Sequence, residues 1–207
     1  MEFNTNEEIL LHPNDHKRKK TWISILKFMD KNLDYNQINN SLDLGGAQGN
    51  LSYHILKRND KSEVICLDKD INMLETAKKR HPALKTLVFD INNQLPFKDN
   101  SVDLVSCLGT LHYFNFNNPE DIFKEMVRVS KKYIMLEFLY KYRLWHLLLK
   151  IRYPQYNPRR HTQKAINELI KKYNLRIASR MGTKNIFGRF FPSFGRITVF
   201  LLEKNND

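Results

Sequence analysis

The chain has 207 residues, of which 42% are hydrophobic, so it is long enough for one domain with a substantial core and short for two. Its apolar runs are far shorter than the roughly 20 residues that span a bilayer, and its polar, acidic first residues differ from a secretory signal. We therefore expect a cytoplasmic protein. The net charge of +12 is compatible with an acidic partner, although net charge alone is weak evidence.

Hydrophobic spacing predicts a helix over residues 17–33, within an N-terminal helical segment that we place at residues 1–40. Strands and helices then alternate through residues 41–207, which we expect to form one domain packed against that segment. The predicted strands are 41–44, 63–67, 86–89, 102–107, 133–138, 175–181 and 197–203, and the predicted helices between them are 49–58, 71–80, 119–130 and 162–173.

This alternation predicts an α/β fold with a Rossmann-like, doubly wound and mostly parallel sheet of seven strands. The last two strands have no helix between them, so we expect a C-terminal antiparallel pair, with one strand beside the fifth and the other at the edge. Thr162 suits the start of the last helix, and Asn174 suits the left-handed residue that ends it.

Residues 139–161 form a long, basic and amphipathic connection after the fifth predicted strand. Three interpretations remain open for it: a lid-like insertion over a ligand site, a helix at a membrane surface, and an ordinary helix packed on the domain.

A glycine-rich loop, residues 45–49, follows the first predicted strand, at the edge where open parallel sheets bind ligands. Carboxylates stand near the ends of three strands: Asp43 two residues before the first glycine, Asp68 at the end of the second strand, and Asp90 after the third. They suit an ammonium group, ribose hydroxyls and an adenine amine, respectively. The pattern therefore predicts a ligand that combines an amino acid with adenosine.

A nicotinamide dinucleotide is the main alternative ligand. Its G-x-G-x-x-G fingerprint would need glycine at position 44, where Leu44 stands. Tyr53 and Lys57 have the Tyr-x-x-x-Lys spacing of short-chain dehydrogenases, but they lie on the helix after the glycine loop, away from any nicotinamide ring. Both observations argue against NAD. The two cysteines, Cys66 and Cys107, form no metal-binding cluster, so we predict no metal site.

Segments 42–50, 66–74, 89–105 and 106–114 resemble the ordered motifs of class I S-adenosylmethionine (SAM)-dependent methyltransferases. They are most similar to the small-molecule group that includes the ubiquinone and menaquinone biosynthesis enzymes. The resemblance implies that the chain binds SAM and releases S-adenosylhomocysteine (SAH). The residues that it implies for cofactor binding are Asp43, Gly45, Gly46, Ala47, Gly49, Asn50, Asp68, Lys69, Met73, Asp90, Ile91, Cys107 and Leu108.

Two positions depart from that family's pattern. Ala47 stands where a third glycine is usual, and residues 130–133 replace the Gly-Gly turn that often precedes the fifth strand. For the chemistry, His112 is the best-placed general base, with Tyr113 beside it. The favoured alternative is that His112 only contacts the cofactor or lines the pocket, because an acidic phenol or a carbanion needs little help from a base.

The motifs do not identify the methyl acceptor. Aromatic and basic residues at 140–161 and 187–194 favour a small aromatic or lipophilic acceptor, encountered at an acidic membrane surface. Two other hypotheses stay open: an RNA or protein methyltransferase that uses the basic clusters, and a non-catalytic SAM-binding protein. Nucleic acid is the weaker expectation as a partner, and the oligomeric state is not predicted.

Overall fold

Helices and strands alternate along the chain in the computed structural model, which describes residues 19–110, 119–139, 163–183 and 197–205. The described helices are α1 (Lys19–Asn32), α2 (Asn50–Arg58), α3 (Ile71–Arg80), α4 (Pro119–Val129) and α5 (Gln163–Lys172). The strands are β1 (Asn40–Leu44), β2 (Glu63–Asp68), β3 (Lys85–Val88), β4 (Val102–Cys107), β5 (Ser130–Leu139), β6 (Leu175–Thr183) and β7 (Ile197–Lys204).

The seven strands form one sheet in the order β3-β2-β1-β4-β5-β7-β6. Strands β1 to β5 pair in parallel, whereas β7 is antiparallel to both β5 and β6. The predicted doubly wound, mostly parallel sheet is therefore confirmed. The C-terminal antiparallel pair is confirmed as well, with β7 inserted beside β5 and β6 at the edge.

Both faces of the sheet are covered by helices, as expected where parallel strands are joined by helical crossovers. The first face packs against α1, α2 and α3, and its buried side chains include Ile25, Met29, Leu51, Ile55, Cys66, Leu74, Leu104, Leu108, Met135, Val199 and Leu201. The second face packs against α4 and α5, through Leu42, Leu44, Leu67, Val105, Cys107, Ile122, Met126, Leu136, Ile166 and Phe200. Alternate residues of each central strand thus serve opposite layers of the core.

Where a Gly-Gly turn often precedes the fifth strand in similar proteins, this chain has a direct junction, because β5 begins immediately after α4 ends. Pairing with β4 shifts in register between Ser130 and Tyr133, so Lys131 and Lys132 form an irregularity in the strand. The ammonium of Lys204 donates to the carbonyl of Ser130 at 3.0 Å, next to the end of the helix. At this junction the chain therefore has a bulge in β5 and a lysine hydrogen bond where similar proteins often have a Gly-Gly turn.

Some boundaries differ from the predictions. Residues 34–40, between the first predicted helix and the first predicted strand, contain a short 3-10 helix, Tyr35–Gln37, which Asp34 caps. Asn174 has a φ of 49°, the left-handed conformation predicted for it.

Thr162 and residues 140–161 lie outside the described residues, and the division at residue 40 stays a prediction. Among the described helices, none has the length and apolar character needed to cross a membrane.

A polar cluster of Asp30, Tyr35, His54 and Arg58 joins α1 to α2. The Asp30 carboxylate accepts hydrogen bonds from the Arg58 guanidinium at 2.8 and 3.0 Å and from the Tyr35 hydroxyl at 3.0 Å, and it lies 2.8 Å from Nε2 of His54. The His54 side chain is only 1% exposed. Partial burial acts to raise the pKa of Asp30, but the hydrogen bonds and charges of His54 and Arg58 outweigh it and hold that pKa well below its usual range.

We predict that Asp30→Asn lowers the free energy of unfolding at pH 7 by about 1–3 kcal/mol, since it removes charge-assisted hydrogen bonds. Because the pKa of Asp30 is lower in the folded than in the unfolded state, this contribution is present above about pH 4 and is lost as the pH falls below it. Urea unfolding of both proteins at pH 7 and pH 3 measures the difference.

Glu63→Gln is a suitable control, because Glu63 pairs with Lys85 at 2.9 Å but both side chains are more than half exposed. We expect this change to cost no more than about 0.5 kcal/mol. An Asp30→Asn effect as small as the control's, or one that does not depend on pH, would contradict the proposed role of the cluster.

Candidate functional site

The loop between β1 and α2 turns through left-handed backbone conformations at Gly45 (φ 67°), Ala47 (φ 46°) and Gly49 (φ 73°). A Cβ atom on Gly45 would lie 2.4 Å from the Thr110 side chain, too close for any residue except glycine. On Gly46 it would lie 2.6 Å from the Cys66 sulfur. The loop backbone is therefore pressed closely against its neighbours.

Ala47 stands where similar proteins usually have a third glycine, and its backbone adopts the left-handed conformation. This conformation costs a residue with a Cβ atom about 1–2 kcal/mol. The Ala47 N–H donates to Oδ2 of Asp68 at 3.0 Å, which ties the loop to the end of β2. Alanine in place of the usual glycine thus makes this loop conformation less favourable, but the loop still adopts it.

Asp43 lies on the first face of the sheet, beneath the loop, and is only 3% exposed. Its carboxylate accepts hydrogen bonds from the hydroxyls of Ser52, on α2, at 2.8 Å and of Ser106, on β4, at 2.9 Å. Burial raises the pKa of Asp43 to about 6, although the two serine hydrogen bonds act to lower it. The Asp43 carboxyl therefore changes charge near neutral pH.

Asp68 ends β2 and is half-buried. Its Oδ2 accepts from the Ala47 N–H, and its Oδ1 accepts from the Asp70 N–H at 3.0 Å. One backbone bond on each oxygen fixes the orientation of the carboxylate. Because each carboxylate oxygen can accept more than one hydrogen bond, the side chain retains capacity for the two hydroxyls of a ribose.

Asp90 follows β3 and is also half-buried, with Oδ1 accepting from the Asn92 N–H at 3.0 Å. Its neighbour Ile91 is 3% exposed and packs into the second face of the core. Asp90 therefore lies two residues beyond Val88, the β3 partner of Asp68, whereas the side chain of Ile91 packs into the core. Any contact from Ile91 to a ligand would have to come from its backbone.

The other predicted cofactor residues lie around the same edge in different environments. Lys69 is exposed, and Asn50 and Met73 are partly exposed at or near the starts of α2 and α3. Leu108 is 6% exposed on the first face, whereas Cys107 is fully buried on the second face. The structure thus brings the carboxylates and the glycine loop to one edge but places the Cys107 side chain in the core.

The proposed catalytic residues His112 and Tyr113 lie outside the described residues. The chain is described up to Thr110, beyond the end of β4, so this stretch begins at the same edge as the glycine loop. Their role in catalysis stays a prediction.

Residues 42–133 match the protein family described as a methyltransferase domain. The predicted resemblance to class I SAM-dependent methyltransferases is confirmed. An uncharacterized methyltransferase of Schizosaccharomyces pombe is 32% identical over 107 residues, which make up 52% of this chain and 41% of that protein. The chain therefore spans about two fifths of the length of that curated relative.

Solved methyltransferase structures share the fold of this chain. Magnesium protoporphyrin IX methyltransferase from Synechocystis PCC 6803, with bound SAH, has a TM-score of 0.74 and 16% identity over 95% of this chain and 90% of its own. A possible histamine N-methyltransferase from Thermotoga maritima has a TM-score of 0.64 and 18% identity over 89% of each chain. At these identities the likeness establishes the class I methyltransferase fold and nothing finer.

Several residues of the candidate site were not identified from the sequence. Ser52, Ser106 and Thr110 contact Asp43 or the glycine loop, and Ile71 is an exposed apolar side chain just beyond Asp68. One signal was available: Ser106 lies opposite Asp43 once β1 and β4 are aligned as parallel neighbours. Ser52 and Thr110 carry no such pattern, because isolated hydroxyl residues are common throughout soluble proteins.

The raised pKa of Asp43 predicts a pH-dependent stability. Because the folded-state pKa lies above the unfolded value near 4, wild type should lose about 2–3 kcal/mol relative to Asp43→Asn as the pH rises from 4 to above 6. The amide has no charge to bury and serves as the reference. Urea unfolding of the two proteins across this pH range measures the difference.

Ser52→Ala removes one donor to the ionised carboxylate and should therefore enlarge the loss and extend it to higher pH. A difference between wild type and Asp43→Asn that stays constant from pH 4 to pH 7.5 would show that the carboxyl has the same pKa in the folded and unfolded states, which would contradict the raised pKa.

Proposed function

We propose that the chain is a SAM-dependent methyltransferase that transfers a methyl group from SAM to a small acceptor and releases SAH. The observation that carries the proposal is the convergence of Asp43, Asp68 and Asp90 at neighbouring strand ends beside the glycine loop. Acidic groups and closely packed backbone at one edge match a positively charged ligand that contains a ribose and an adenine.

The loop and the carboxylates fit this cofactor. The loop presents a backbone surface without side chains at Gly45 and Gly46, where a Cβ atom has no room. Asp68 would bind the ribose hydroxyls through the acceptor capacity that its two backbone bonds leave. Asp43 would favour the ammonium group of the cofactor mainly through its charge, since serine hydroxyls already contact both of its oxygens.

The adenine would lie between β2 and β3. Lys69, Met73 and Asp90 are proposed to surround it, as the resemblance implies. Two exposed apolar side chains support this position: Ile71, at the start of α3, is 55% exposed, and Val88, at the end of β3, is 52% exposed. An aromatic ring placed over them would remove apolar surface from water.

SAM supplies a methyl group that is already activated by its sulfonium sulfur. The residues of this chain would then have to align the acceptor with that methyl group and exclude water from it, and alignment of well-oriented pairs can contribute up to about 7–11 kcal/mol. The proposed role of His112, with Tyr113, is to accept a proton where the acceptor has one to lose.

We further propose that the acceptor is a small aromatic or lipophilic molecule, as in the ubiquinone and menaquinone group that the motifs resemble. The first solved structure above belongs to a methyltransferase that acts on magnesium protoporphyrin IX, a small molecule. Residues 140–162 and 184–196 contain nine Lys and Arg residues and no Asp or Glu, and both stretches join the sheet at the ligand edge. These charges support encounter with the acceptor at an acidic membrane surface.

Binding of SAH tests the cofactor site directly. We predict that wild type binds SAH in titration calorimetry and that Asp68→Asn weakens binding at least about tenfold, because hydrogen bonds to a charged group are lost. Asp70→Asn is the matched control: Asp70 caps α3 two residues away, and asparagine caps equally well. Binding of a nicotinamide dinucleotide in place of SAH would contradict the proposal.

Methyl transfer from labelled SAM identifies the acceptor class. The protein is incubated with extracts separated into small-molecule, RNA, protein and lipid pools, the last presented in anionic vesicles. We expect label in the small-molecule or lipid pool. Label in RNA or protein would favour a macromolecular substrate, and SAH binding without label in any pool would favour a non-catalytic SAM-binding protein.

A further inference from the structure

Two serine side chains on different elements converge on the Asp43 carboxylate. Ser52, on α2, is 0% exposed, and Ser106, on β4, is 1% exposed. The Ser52 hydroxyl donates to Oδ2 of Asp43 at 2.8 Å, and the Ser106 hydroxyl donates to Oδ1 at 2.9 Å. Each carboxylate oxygen thus receives one hydroxyl donor. This arrangement fits an ionised carboxylate, which only accepts hydrogen bonds, better than a protonated one.

The Ser52 hydroxyl departs from the local hydrogen bonding of two other hydroxyl residues in the helices of this chain. Ser24, on α1, and Thr76, on α3, each donate to the backbone carbonyl four residues earlier, at 2.9 Å. Ser52 donates instead to a side chain of β1. The direction of its hydroxyl is therefore set by Asp43 and not by the backbone of its own helix.

Serine at both positions costs free energy that packing alone does not recover. A buried hydroxyl loses its hydrogen bonds to water, whereas alanine would fill nearly the same space with no polar group to desolvate. Hydrogen bonds to a charged partner offset this cost, because they are stronger than those between neutral groups. The two serines therefore contribute most when Asp43 carries its charge.

The other titratable groups described around Asp43 lie on β2, and neither favours its charge. Burial is the main cause that raises the pKa of Asp43 to about 6, and the negative charge of Asp68 acts in the same direction. Burial also raises the pKa of the Cys66 thiol, which stays neutral near pH 7. The groups that act to lower the pKa of Asp43 are the hydroxyls of Ser52 and Ser106 and the Ser52 N–H.

Asp43 lies directly beneath the glycine loop. A Cβ atom on Gly46 would lie 2.9 Å from Oδ2 of Asp43, so glycine allows the loop backbone to come this close to the carboxylate. The serine hydrogen bonds already use both oxygens, so Asp43 would act on the ammonium group of a cofactor through its charge. Charges interact more strongly in a buried site than in water. Groups that fix the charge of Asp43 would therefore contribute to the affinity for the cofactor.

We infer that Ser52 and Ser106 are positioning residues of the cofactor site, which act through Asp43 by keeping its carboxylate ionised and fixed in place beneath the glycine loop. The inference rests on the proposed function, because it takes SAM and SAH as the ligands of that loop. The protein then binds its cofactor with Asp43 ionised, and two serines beneath the site set the pH range of tight binding.

The test is titration calorimetry with SAH from pH 5 to pH 8. Asp43→Asn is the reference, because this variant has no carboxyl to ionise at that position. Relative to Asp43→Asn, the affinity of wild type for SAH should fall about tenfold between pH 7.5 and pH 5, where the Asp43 carboxyl is mostly protonated. Any pH dependence that remains in Asp43→Asn belongs to other groups, including those of the ligand.

Ser106→Ala and Ser52→Ala each remove one donor, so the Asp43 carboxyl should ionise only at higher pH. At pH 6 each variant should bind SAH at least about fivefold more weakly than wild type, and at pH 8 the difference should be less than about threefold. Ser106→Thr and Ser52→Thr keep the hydroxyl and should restore the pH profile of wild type.

Ser41→Ala is the matched control. Ser41 lies on β1 two residues before Asp43 and is 3% exposed, and its hydroxyl has no hydrogen-bond partner among the described residues. Removing this hydroxyl should leave the pH profile of SAH affinity unchanged.

Each outcome decides between the alternatives. A ratio of wild-type to Asp43→Asn affinity that does not change with pH overturns the inference. So do alanine variants that weaken binding by the same factor at every pH, a Ser41→Ala variant that shifts the profile as much, or a shift that neither threonine variant reverses. Loss of folding in both alanine variants overturns it as well, by showing that the serines serve the fold. Failure of wild type to bind SAH at any of these pH values would instead overturn the proposed function.

Discussion

The buried carboxylate of Asp43 joins the three elements on which the ligand edge depends. It belongs to β1, and it accepts hydrogen bonds from Ser106 on β4 and from Ser52 on α2. Gly46 passes so close above it that a Cβ atom there would lie 2.9 Å from Oδ2. One side chain therefore contacts a neighbouring strand, the first turns of the following helix and the underside of the glycine loop.

Helix α2 is held at both ends by carboxylates of opposite character. Near its start, Ser52 donates to Asp43, whose burial raises its pKa to about 6. At its last residue, Arg58 pairs with Asp30 of α1, whose pKa is held below its usual range. The N-terminal helix is therefore coupled to the helix that begins at the glycine loop through the Asp30–Arg58 pair, while Ser52 joins the start of that helix to β1.

The ligand edge is divided between two kinds of chemistry. Over β1, β2 and β3 it offers carboxylates and bare backbone, which suit a cationic nucleoside. Over β4 and β5 the described residues include the buried apolar side chains of Leu108 and Met135. Residues 140–162 follow β5 at this edge, and residues 184–196 join β6 to β7 at the same edge. Both stretches carry basic residues without acidic ones.

Local patterns in the sequence were sufficient for the elements and for the position of three carboxylates near the strand ends, which are proposed to bind the cofactor. Alternating hydrophobic periods predicted the sheet, and the absence of a helix between the last two strands predicted their antiparallel pairing, because such connections need no crossover. Asp43, Asp68 and Asp90 were found because each stands beside a strand end, and parallel strand ends meet at one edge. Asn174 was found because few residues other than glycine adopt the left-handed conformation.

Contacts between residues distant in the chain required the tertiary structure. No local pattern in the sequence shows that Ser52 and Ser106 both donate to the Asp43 carboxylate. Nor does one show that Lys204 donates to the carbonyl of Ser130 at the end of α4. Ile91 and Cys107, grouped with the cofactor residues by motif, have buried side chains because strand and loop geometry turns them into the core. The chain order alone thus determined which elements form and where their ends meet. Only packing decided which side chains face each other there, because burial and hydrogen bonding depend on neighbours that the sequence separates by dozens of residues.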